Sequence, residues 1–339
     1  MFSFALRLEG SVGPVWCPSG NEVAVSTAEG VAVVRIDAPE SAVVLGPPGA
    51  LHDIAWSPDG RDLAIASFDD GWVRRVCVAD GSQKWQASVG GSAIELAWAH
   101  SGRSLACLTR DVVVCDAETG AVSWRHDRHR TRGSVSVTTG GVIERYDSEP
   151  VWPDAAAWSP DSALLAVRWP DGWTVLDARD GRVVAEGQMV GAAIRWTHEG
   201  LAAFESGANR LALFRLPEPI GTATNCYAFS ADGRYLALEG REHALLVHDR
   251  GETITLPGHP RTITAMDWSA TGVLATACRD GVLRRTSAPW RSLQTWAKPA
   301  HRMERLTWSP RGTHLAVRCD TTLLVLSEAR HGDQAAKEG

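Results

Sequence analysis

Histidine and cysteine side chains are the first candidates for chemistry in this sequence. His52, His259 and His301 each lie just before a predicted innermost strand, and three imidazoles on one rim could bind a metal ion. We interpret His259 as bonding within its own structural unit and the other two as solvated. The seven cysteines are odd in number and form no Cys-x-x-Cys pair, so neither a zinc site nor a disulfide framework is expected. We therefore predict no metal and no cofactor.

Nucleophilic catalysis would need a serine or cysteine with an adjacent base and an oxyanion donor. The serine of the recurring Trp-Ser-Pro-Asp-Gly segment changes to Thr, Ala or Cys in other copies, which is typical of a turn position. Cys107, Cys278 and Cys319 fall in similar apolar segments, and we interpret them as small core residues. The sequence therefore predicts a protein that is not an enzyme.

One segment resembles an enzyme family. Residues 115–124, CDAETGAVSW, resemble the repeat of the eight-bladed quinoprotein dehydrogenases through Asp116, Gly120 and Trp124. The resemblance implies a quinone bound through calcium. Asp-x-x-Thr-Gly is also a good turn between strands, and we favour that interpretation. A propeller enzyme, quinoprotein-like or a hydrolase, stays an alternative.

An eightfold repeat dominates the chain. Each copy has an aromatic residue, a turn of the Pro-Asp-Gly kind and a short apolar run that contains alanine, which predicts a β-hairpin. A third strand follows each hairpin, and a weaker fourth follows in some copies. Four short strands per copy around an axis make a β-propeller. The aromatic residues are Trp16, Trp56, Trp98, Trp158, Trp196, Phe229, Trp268 and Trp308.

These repeats resemble the WD40-repeat family over nearly the whole chain. In the copy at 256–285, Gly258-His259 is similar to the family's Gly-His pair and Asp280-Gly281 to its tight turn. The family's hydrogen-bonded set of His, Ser or Thr, Asp and Trp lacks its Trp here, so the complete set is not expected. The Trp-Asp pair that names the family is represented by Ile36-Asp37, Cys115-Asp116, Leu176-Asp177 and His248-Asp249.

The repeat predicts an all-β fold, a single eight-bladed β-propeller of four-stranded blades. The segment FSFALRL at 2–8 is expected to complete the last blade and close the ring, which leaves no unpaired edge. Residues 1–328 form the predicted propeller, and the polar tail 329–339 is predicted to be disordered. The 60-residue distance from Trp98 to Trp158 holds an insertion, 125–150, between the third and fourth repeats.

The insertion has a basic half and a strand-forming half. Its basic half contains Arg125, Arg128, Arg130 and Arg132, which suit contacts with carboxylates or phosphates. Its second half, SVSVTTGGVIERY at 134–146, predicts a hairpin with Gly140-Gly141 as a two-residue turn and Val135 opposite Tyr146. The WD40 resemblance implies that the insertion lies on the top face. Partner binding is favoured over a tolerated surface insertion, which stays open.

Two loops carry further candidates for partner binding. SFDDGW holds Phe68 and Asp70, and RWPDGW holds Trp169 and Asp171, at predicted top-face tips. An aromatic residue among polar ones has the composition of a protein-binding hot spot. The alternative is that each ring caps the neighbouring blade.

Charge and hydropathy limit the remaining classes. A net charge of -6 gives no general attraction to nucleic acid or anionic membranes. No apolar run of 18 residues and no export signal are present, so a cytoplasmic protein is expected. The sequence predicts a non-catalytic interaction scaffold or sensor subunit, monomeric within a hetero-complex, that displays its top-face loops to a protein partner. A small-ligand sensor that uses the central channel stays an alternative.

Overall fold

The computed structural model gives the fold as a series of antiparallel sheets. The structure describes residues 2–7, 13–49, 51–67, 71–127, 134–137, 143–146, 152–188, 193–197, 200–205, 210–214, 227–230, 232, 234–249, 252–256, 258–299, 302–319 and 322–327. Within these ranges the chain has strands, turns and two short 3-10 helices, Pro39–Ser41 and Arg241–His243, and no α-helix. No helix there is long and apolar enough to span a bilayer.

The first half of the chain forms four sheets of four strands and one hairpin. The first sheet contains β2 (Val15–Trp16), β3 (Glu22–Thr27), β4 (Gly30–Arg35) and β5 (Val43–Leu45). The second contains β6 (Leu51–Trp56), β7 (Asp62–Ser67), β8 (Trp72–Cys77) and β9 (Gln83–Ser88). The third contains β10 (Glu95–Trp98), β11 (Ser104–Leu108), β12 (Val112–Asp116) and β13 (Val122–His126). The hairpin is β14 (Ser134–Val137) with β15 (Ile143–Tyr146), and the fourth sheet is β16 (Ala155–Trp158), β17 (Leu164–Trp169), β18 (Gly172–Asp177) and β19 (Val183–Gln188).

The second half repeats this pattern. The fifth sheet has three described strands, β20 (Ala193–Thr197), β21 (Gly200–Glu205) and β22 (Arg210–Phe214). The sixth has β23 (Tyr227–Phe229), β24 (Tyr235–Glu239), β25 (Leu245–Asp249) and β26 (Glu252–Leu256). The seventh has β27 (Ile263–Trp268), β28 (Val273–Cys278), β29 (Leu283–Ser287) and β30 (Gln294–Ala297). The eighth has β31 (Met303–Trp308), β32 (His314–Cys319) and β33 (Thr322–Ser327), and β1 (Phe2–Arg7) is its outer strand. This all-β arrangement fits the predicted propeller.

The N-terminal strand pairs with the C-terminal one. β1 runs antiparallel to β33, with Ala5 opposite Leu324 and Leu6 opposite Leu323. The first segment of the chain therefore shares a sheet with its last three strands. The tail 329–339 lies outside the described residues.

The turns between first and second strands are set by serine side chains. In the second sheet, Ser57 Oγ donates to Asp59 at 2.6 Å and accepts the Asp62 backbone N–H at 3.0 Å. Gly60 occupies this turn with a φ of 70°, a conformation that glycine adopts without steric cost. The serine of this repeated segment therefore has a structural partner, in agreement with its interpretation as a turn residue.

The core lies between neighbouring sheets. The small residue of the hairpin is completely buried in the seven sheets whose side chains are described at this position, for example Ala64, Ala106 and Ala166. Apolar side chains of one sheet pack on the next, and Val23 and Val25 of the first sheet pack on Val325 of the eighth. Each sheet buries a face that it could not bury alone, which is the energetic basis of a repeat fold.

Tryptophans join the innermost strands of successive sheets. The indole N–H donates to the carbonyl of the residue that precedes the aromatic position in the sheet before it. The N–O distances are 3.0 Å for Trp16 to Thr307, 3.0 Å for Trp56 to Val15, 3.1 Å for Trp98 to Ala55, 2.9 Å for Trp158 to Ala97, 2.8 Å for Trp196 to Ala157 and 2.9 Å for Trp268 to Ala228. Because Trp16 reaches Thr307, the first and eighth sheets are linked in the same way as consecutive ones.

Trp308 departs from this pattern. Its buried Nε1 has no hydrogen-bond partner among the described residues, whereas its backbone N–H donates to Asp267 Oδ2 at 2.8 Å. The seventh and eighth sheets are therefore connected through a carboxylate instead of an indole. Trp308 still fills the space between sheets, since its side chain is buried against Ala275 and Leu315.

Two variants separate the indole hydrogen bond from ring packing. Trp56→Phe keeps an aromatic ring and leaves the Val15 carbonyl without its donor, so we expect a loss of about 1–2 kcal/mol in the free energy of unfolding. Trp308→Phe is the matched control, because it removes an N–H that has no partner among the described residues. Its loss in the free energy of unfolding is expected to be clearly smaller than that of Trp56→Phe. Urea denaturation of both variants measures the difference, and equal losses would show that the indole bonds do not hold the sheets together.

Candidate functional site

One edge of the sheets carries the connections that vary between repeats. Since the strands are antiparallel, the loops between second and third strands and the segments that enter each first strand lie at the same edge. The serine turns lie at the opposite edge. We call the part of the variable edge formed by Val89, Arg110, Asp111, Arg125, Trp152 and Asp154 the upper surface. These residues surround the point where the chain leaves β13 for the insertion.

The Arg125 side chain is held in place by two contacts within the upper surface. Its guanidinium contacts Asp111 Oδ2 at 3.1 Å and donates to the Val89 carbonyl at 3.0 Å. The side chain is 38% exposed, so one part of it still faces solvent. Arg125 and His126 belong to β13, and the insertion predicted from 125 therefore begins after His126. Arg125 links the third sheet to the second.

The prediction that Trp169 lies at an exposed loop tip is wrong. Its side chain has 0% exposure and packs with Leu165 and Trp124 between the third and fourth sheets. The His126 ring lies 6.5 Å away, centroid to centroid. The large apolar ring gains more from burial than from solvent contact, which is the capping alternative. Asp171 is half-buried in the turn between β17 and β18.

The insertion forms the predicted hairpin in a different register. β14 and β15 pair with Ser134 opposite Tyr146 and Val135 opposite Arg145, so the prediction of Val135 opposite Tyr146 is wrong by one residue. The described strands are Ser134–Val137 and Ile143–Tyr146, and the predicted turn at Gly140-Gly141 lies outside the described residues. The side chain of Tyr146 and the residues Phe68, Asp70, Arg128, Arg130 and Arg132 lie outside the described part of the structure.

Trp152 is an exposed aromatic residue that the sequence reasoning missed. Its side chain is 43% exposed, and the guanidinium of Arg110 lies over its ring, 5.5 Å from the centroid. Arg110 is itself exposed, in the loop between β11 and β12. Beside them, Arg168 Nε contacts Asp154 Oδ1 at 2.6 Å. Trp152 lies outside the eight repeated aromatic positions, and that was the available sequence signal.

A cavity of about 880 Å³ opens among the innermost strands. Five sheets contribute to its wall, the eighth, first, second, third and fourth. Its charged residues include Asp53, Glu95, Asp154 and Arg305, and its aromatic residues are Trp16, Trp56 and Trp98. Asp154 belongs to both the cavity and the upper surface, so the two sites adjoin.

Two carboxylates of the cavity have raised pKa values. Burial raises the pKa of Asp53 to about 6 although Oδ2 accepts the Leu96 N–H at 2.7 Å. Burial likewise raises the pKa of Glu95 to about 7, while Oε1 accepts the Ala156 N–H at 2.9 Å. Raised carboxyl pKa values are found where a site holds charge at a cost to stability.

His259 bonds within the seventh sheet, as predicted. It is 3% exposed, its Nε2 lies 3.1 Å from Thr276 Oγ1, and its Nδ1 lies 3.2 Å from Arg284 Nη1. Since a guanidinium can only donate, Nδ1 accepts and the proton sits on Nε2. Arg284 also contacts Asp280 at 2.6 Å, and it thereby connects His259 to Asp280. Burial, followed by the Arg284 charge, lowers the pKa of His259 to about 4. The side chain of His52 and residue His301 lie outside the described residues.

The quinoprotein-like segment has structural partners in the sheets. Asp116 Oδ1 accepts the Thr119 N–H at 2.8 Å, and Gly120 has a φ of 74° in the same turn. A Cβ at Gly120 would meet the Trp85 ring at 2.8 Å, so this turn packs on the outer strand of the second sheet. Trp124 in turn donates to the Ala178 carbonyl at 2.8 Å. The motif connects the outer strands of neighbouring sheets.

Comparison with known proteins gives one family match. Residues 251–284 match the model of the WD domain, G-beta repeat. This stretch is similar to a WD40 repeat, and the series of antiparallel sheets fits a β-propeller. This stretch contains His259, Thr276, Asp280 and Arg284, the residues of the network in the seventh sheet. No protein in the curated collection searched matches the chain.

Solved structures share the propeller fold at low sequence identity. BamB from Moraxella catarrhalis superposes with a TM-score of 0.70 at 14% identity and covers 97% of this chain and 99% of its own. A chain of the mitotic checkpoint complex matches with a TM-score of 0.60 at 16% identity, and the match covers 97% of this chain and 92% of that one. The β-propeller domain of Cps50 (Swd1) from Myceliophteria thermophila gives 0.60 at 13% identity, covering 97% and 99%. At these identities the likeness establishes the β-propeller fold and nothing beyond it.

The carboxylate at Glu95 predicts a stability that depends on pH. A carboxyl with a native pKa of about 7 and an ordinary value of 4.5 binds more protons in the folded state between these values. Stability is therefore present below about pH 4.5 and is lost as the pH rises through 7. Glu95→Gln keeps an acceptor for Ala156, so we expect a gain of roughly 1–2 kcal/mol at pH 8 that disappears at pH 4.5.

Urea denaturation of both proteins across this range measures the difference. Asp53, Asp154 and Arg168 also face Glu95 and are present in both proteins, so the difference reports the loss of the Glu95 carboxylate together with its interactions with these three groups. A Gln variant that is less stable at pH 8 would contradict the expectation.

Proposed function

We propose that this chain is a non-catalytic scaffold, a closed eight-bladed propeller that binds a protein partner through its upper surface in a cytoplasmic assembly. Support for eight blades and for closure comes from β1 beside β33 and from the Trp16 to Thr307 bond. A closed ring holds its loops with little ordering cost on binding.

The observation that carries the proposal is the exposed pair Trp152 and Arg110. Tryptophan and arginine are the residue types enriched at interface hot spots. An aromatic ring that is 43% exposed gains substantial apolar burial when a partner covers it. The Arg110 guanidinium holds the ring from one side and leaves donors free for a carboxylate.

The chemistry of the upper surface favours an acidic partner segment. Arg110 is exposed, and the insertion that leaves β13 adds Arg128, Arg130 and Arg132 in sequence. Arg125 is already engaged by Asp111, so we assign it a supporting role in holding the loop. Phe68, Asp70, Tyr146 and Asp171 remain candidates for the border of the interface. The structural likeness to a mitotic checkpoint complex is consistent with a propeller that works in an assembly.

Affinity capture from the native host tests the proposal. Trp152→Ala is expected to reduce recovery of the specific partner at least tenfold, because the ring that the partner buries is gone. Val184→Ala, an exposed apolar residue (47%) on the outer strand β19, is the matched control and should leave recovery unchanged. Quantitative mass spectrometry of the captured proteins measures both. Equal recovery by wild type, Trp152→Ala and Arg110→Gln, all with unchanged melting temperatures, would overturn the assignment.

A small-ligand sensor is the second candidate, and the cavity among the innermost strands favours it.

A further inference from the structure

The cavity presents opposite charges from different sheets. Asp53 lies on β6, Glu95 on β10 and Arg305 on β31, so they come from the second, third and eighth sheets. All three occupy the same place, three residues before the aromatic position of their sheet. In the first sheet this place is Gly13, and a Cβ there would come within 2.7 Å of Arg305 Cδ. Because Gly13 has no side chain, the Arg305 side chain can lie over the first sheet, on the side of the cavity toward the carboxylates.

Two charged groups on this wall have unused hydrogen-bonding capacity. Glu95 Oε1 accepts the Ala156 N–H, while Oε2 has no hydrogen-bond partner among the described residues. Arg305 forms neither a hydrogen bond nor an ion pair with any described residue, although its charge lowers the pKa of Asp53. Asp154, by contrast, is already paired with Arg168 at 2.6 Å. A carboxylate with one unused oxygen and a guanidinium with no partner among the described residues therefore face one cavity.

A purely structural role does not account for the charge of Glu95. Joining two sheets requires an acceptor for the Ala156 N–H, and a glutamine oxygen would serve equally well. The Glu95 carboxylate instead keeps a negative charge in a half-buried position, where desolvation disfavours it. A bound cation would offset that cost, and Arg305, an exposed guanidinium at the cavity wall, could accept a bound anion.

We propose that this cavity binds a zwitterionic small molecule, with an ammonium group toward Glu95 and Asp53 and a carboxylate toward Arg305. A ligand with a single positive charge would be repelled by Arg305 and would leave it without a counter-ion. A ligand with a single negative charge would likewise be repelled by the two carboxylates and would leave them without one. The indoles Trp16, Trp56 and Trp98 supply apolar wall for the chain that links the two ends. The inference is independent of the partner-binding proposal, because it concerns other residues.

Calorimetric titration with ω-amino acids tests the ligand class. Glycine, 4-aminobutyrate, 6-aminohexanoate and 8-aminooctanoate are titrated at pH 8, with butylamine and butyrate as singly charged probes. One chain length is expected to bind at least tenfold more tightly than either singly charged probe, because it satisfies both groups. No saturable binding of any ω-amino acid at 10 mM, or equal affinity for butylamine, would overturn the proposal.

Charge-removing variants assign the two ends of the ligand. Glu95→Gln keeps the bond to Ala156 and is expected to weaken the best ω-amino acid at least tenfold, and Arg305→Gln is expected to do likewise. The matched controls are Glu304→Gln and Arg302→Gln, exposed residues close in sequence that do not line the cavity. Binding that survives both cavity substitutions would overturn the proposal. Partner capture through Trp152 is scored separately, so failure of one proposal is distinguishable from failure of the other.

Discussion

The hydrogen bond from an inward-facing indole to the carbonyl of the preceding sheet organises the molecule. A short innermost strand at a sheet edge has backbone groups that need partners once they are buried. The indole N–H of Trp56, Trp98 or Trp158 supplies one, and its ring fills the wedge between sheets. The repeated bond fixes the distance between neighbouring sheets, and through it the width of the cavity and the spacing of the loops above.

The same need for partners explains why carboxylates occur among the innermost strands. Asp53, Glu95 and Asp267 each accept a backbone N–H from the next sheet. Structural linkage thus brings acidic groups to the centre of the molecule. Glu95 has an oxygen in excess of this requirement, and Arg305 has no partner within the described part of the chain, so the proposed ligand would use residues that the fold already places there. The scaffold and the cavity are two consequences of one geometry.

The repeat made most of the fold predictable. A serine turn, an alanine that must be small and an aromatic residue recur in one order, and each has the predicted local role. Trp169 was misassigned because burial of a ring at a strand end depends on the neighbouring sheet, which the local sequence does not encode. The hairpin register failed because two adjacent glycines suggested a shorter turn than β14 and β15 allow.

The sites were less predictable than the fold. The residue three positions before the repeated aromatic residue differs between copies, and it is charged at Asp53, Glu95 and Arg305. An alignment of the copies on their aromatic residues would have revealed these charges in otherwise apolar strands. Trp152 stands outside the repeat, and its exposure depends on its surroundings in the folded chain, which the local sequence does not encode. Arg284 could not be paired with His259 from sequence, because a bond across two strands depends on their register.

Hydrogen exchange on the propeller, alone and bound to its captured partner, tests the central claim most directly. Binding through the upper surface should slow amide exchange in the segments that contain Arg110 and Trp152 and in the insertion, while the serine turns at the opposite edge exchange as before. Protection confined to the turns around Ser57, Ser159 and Ser309 would place the partner on the other edge and contradict the account.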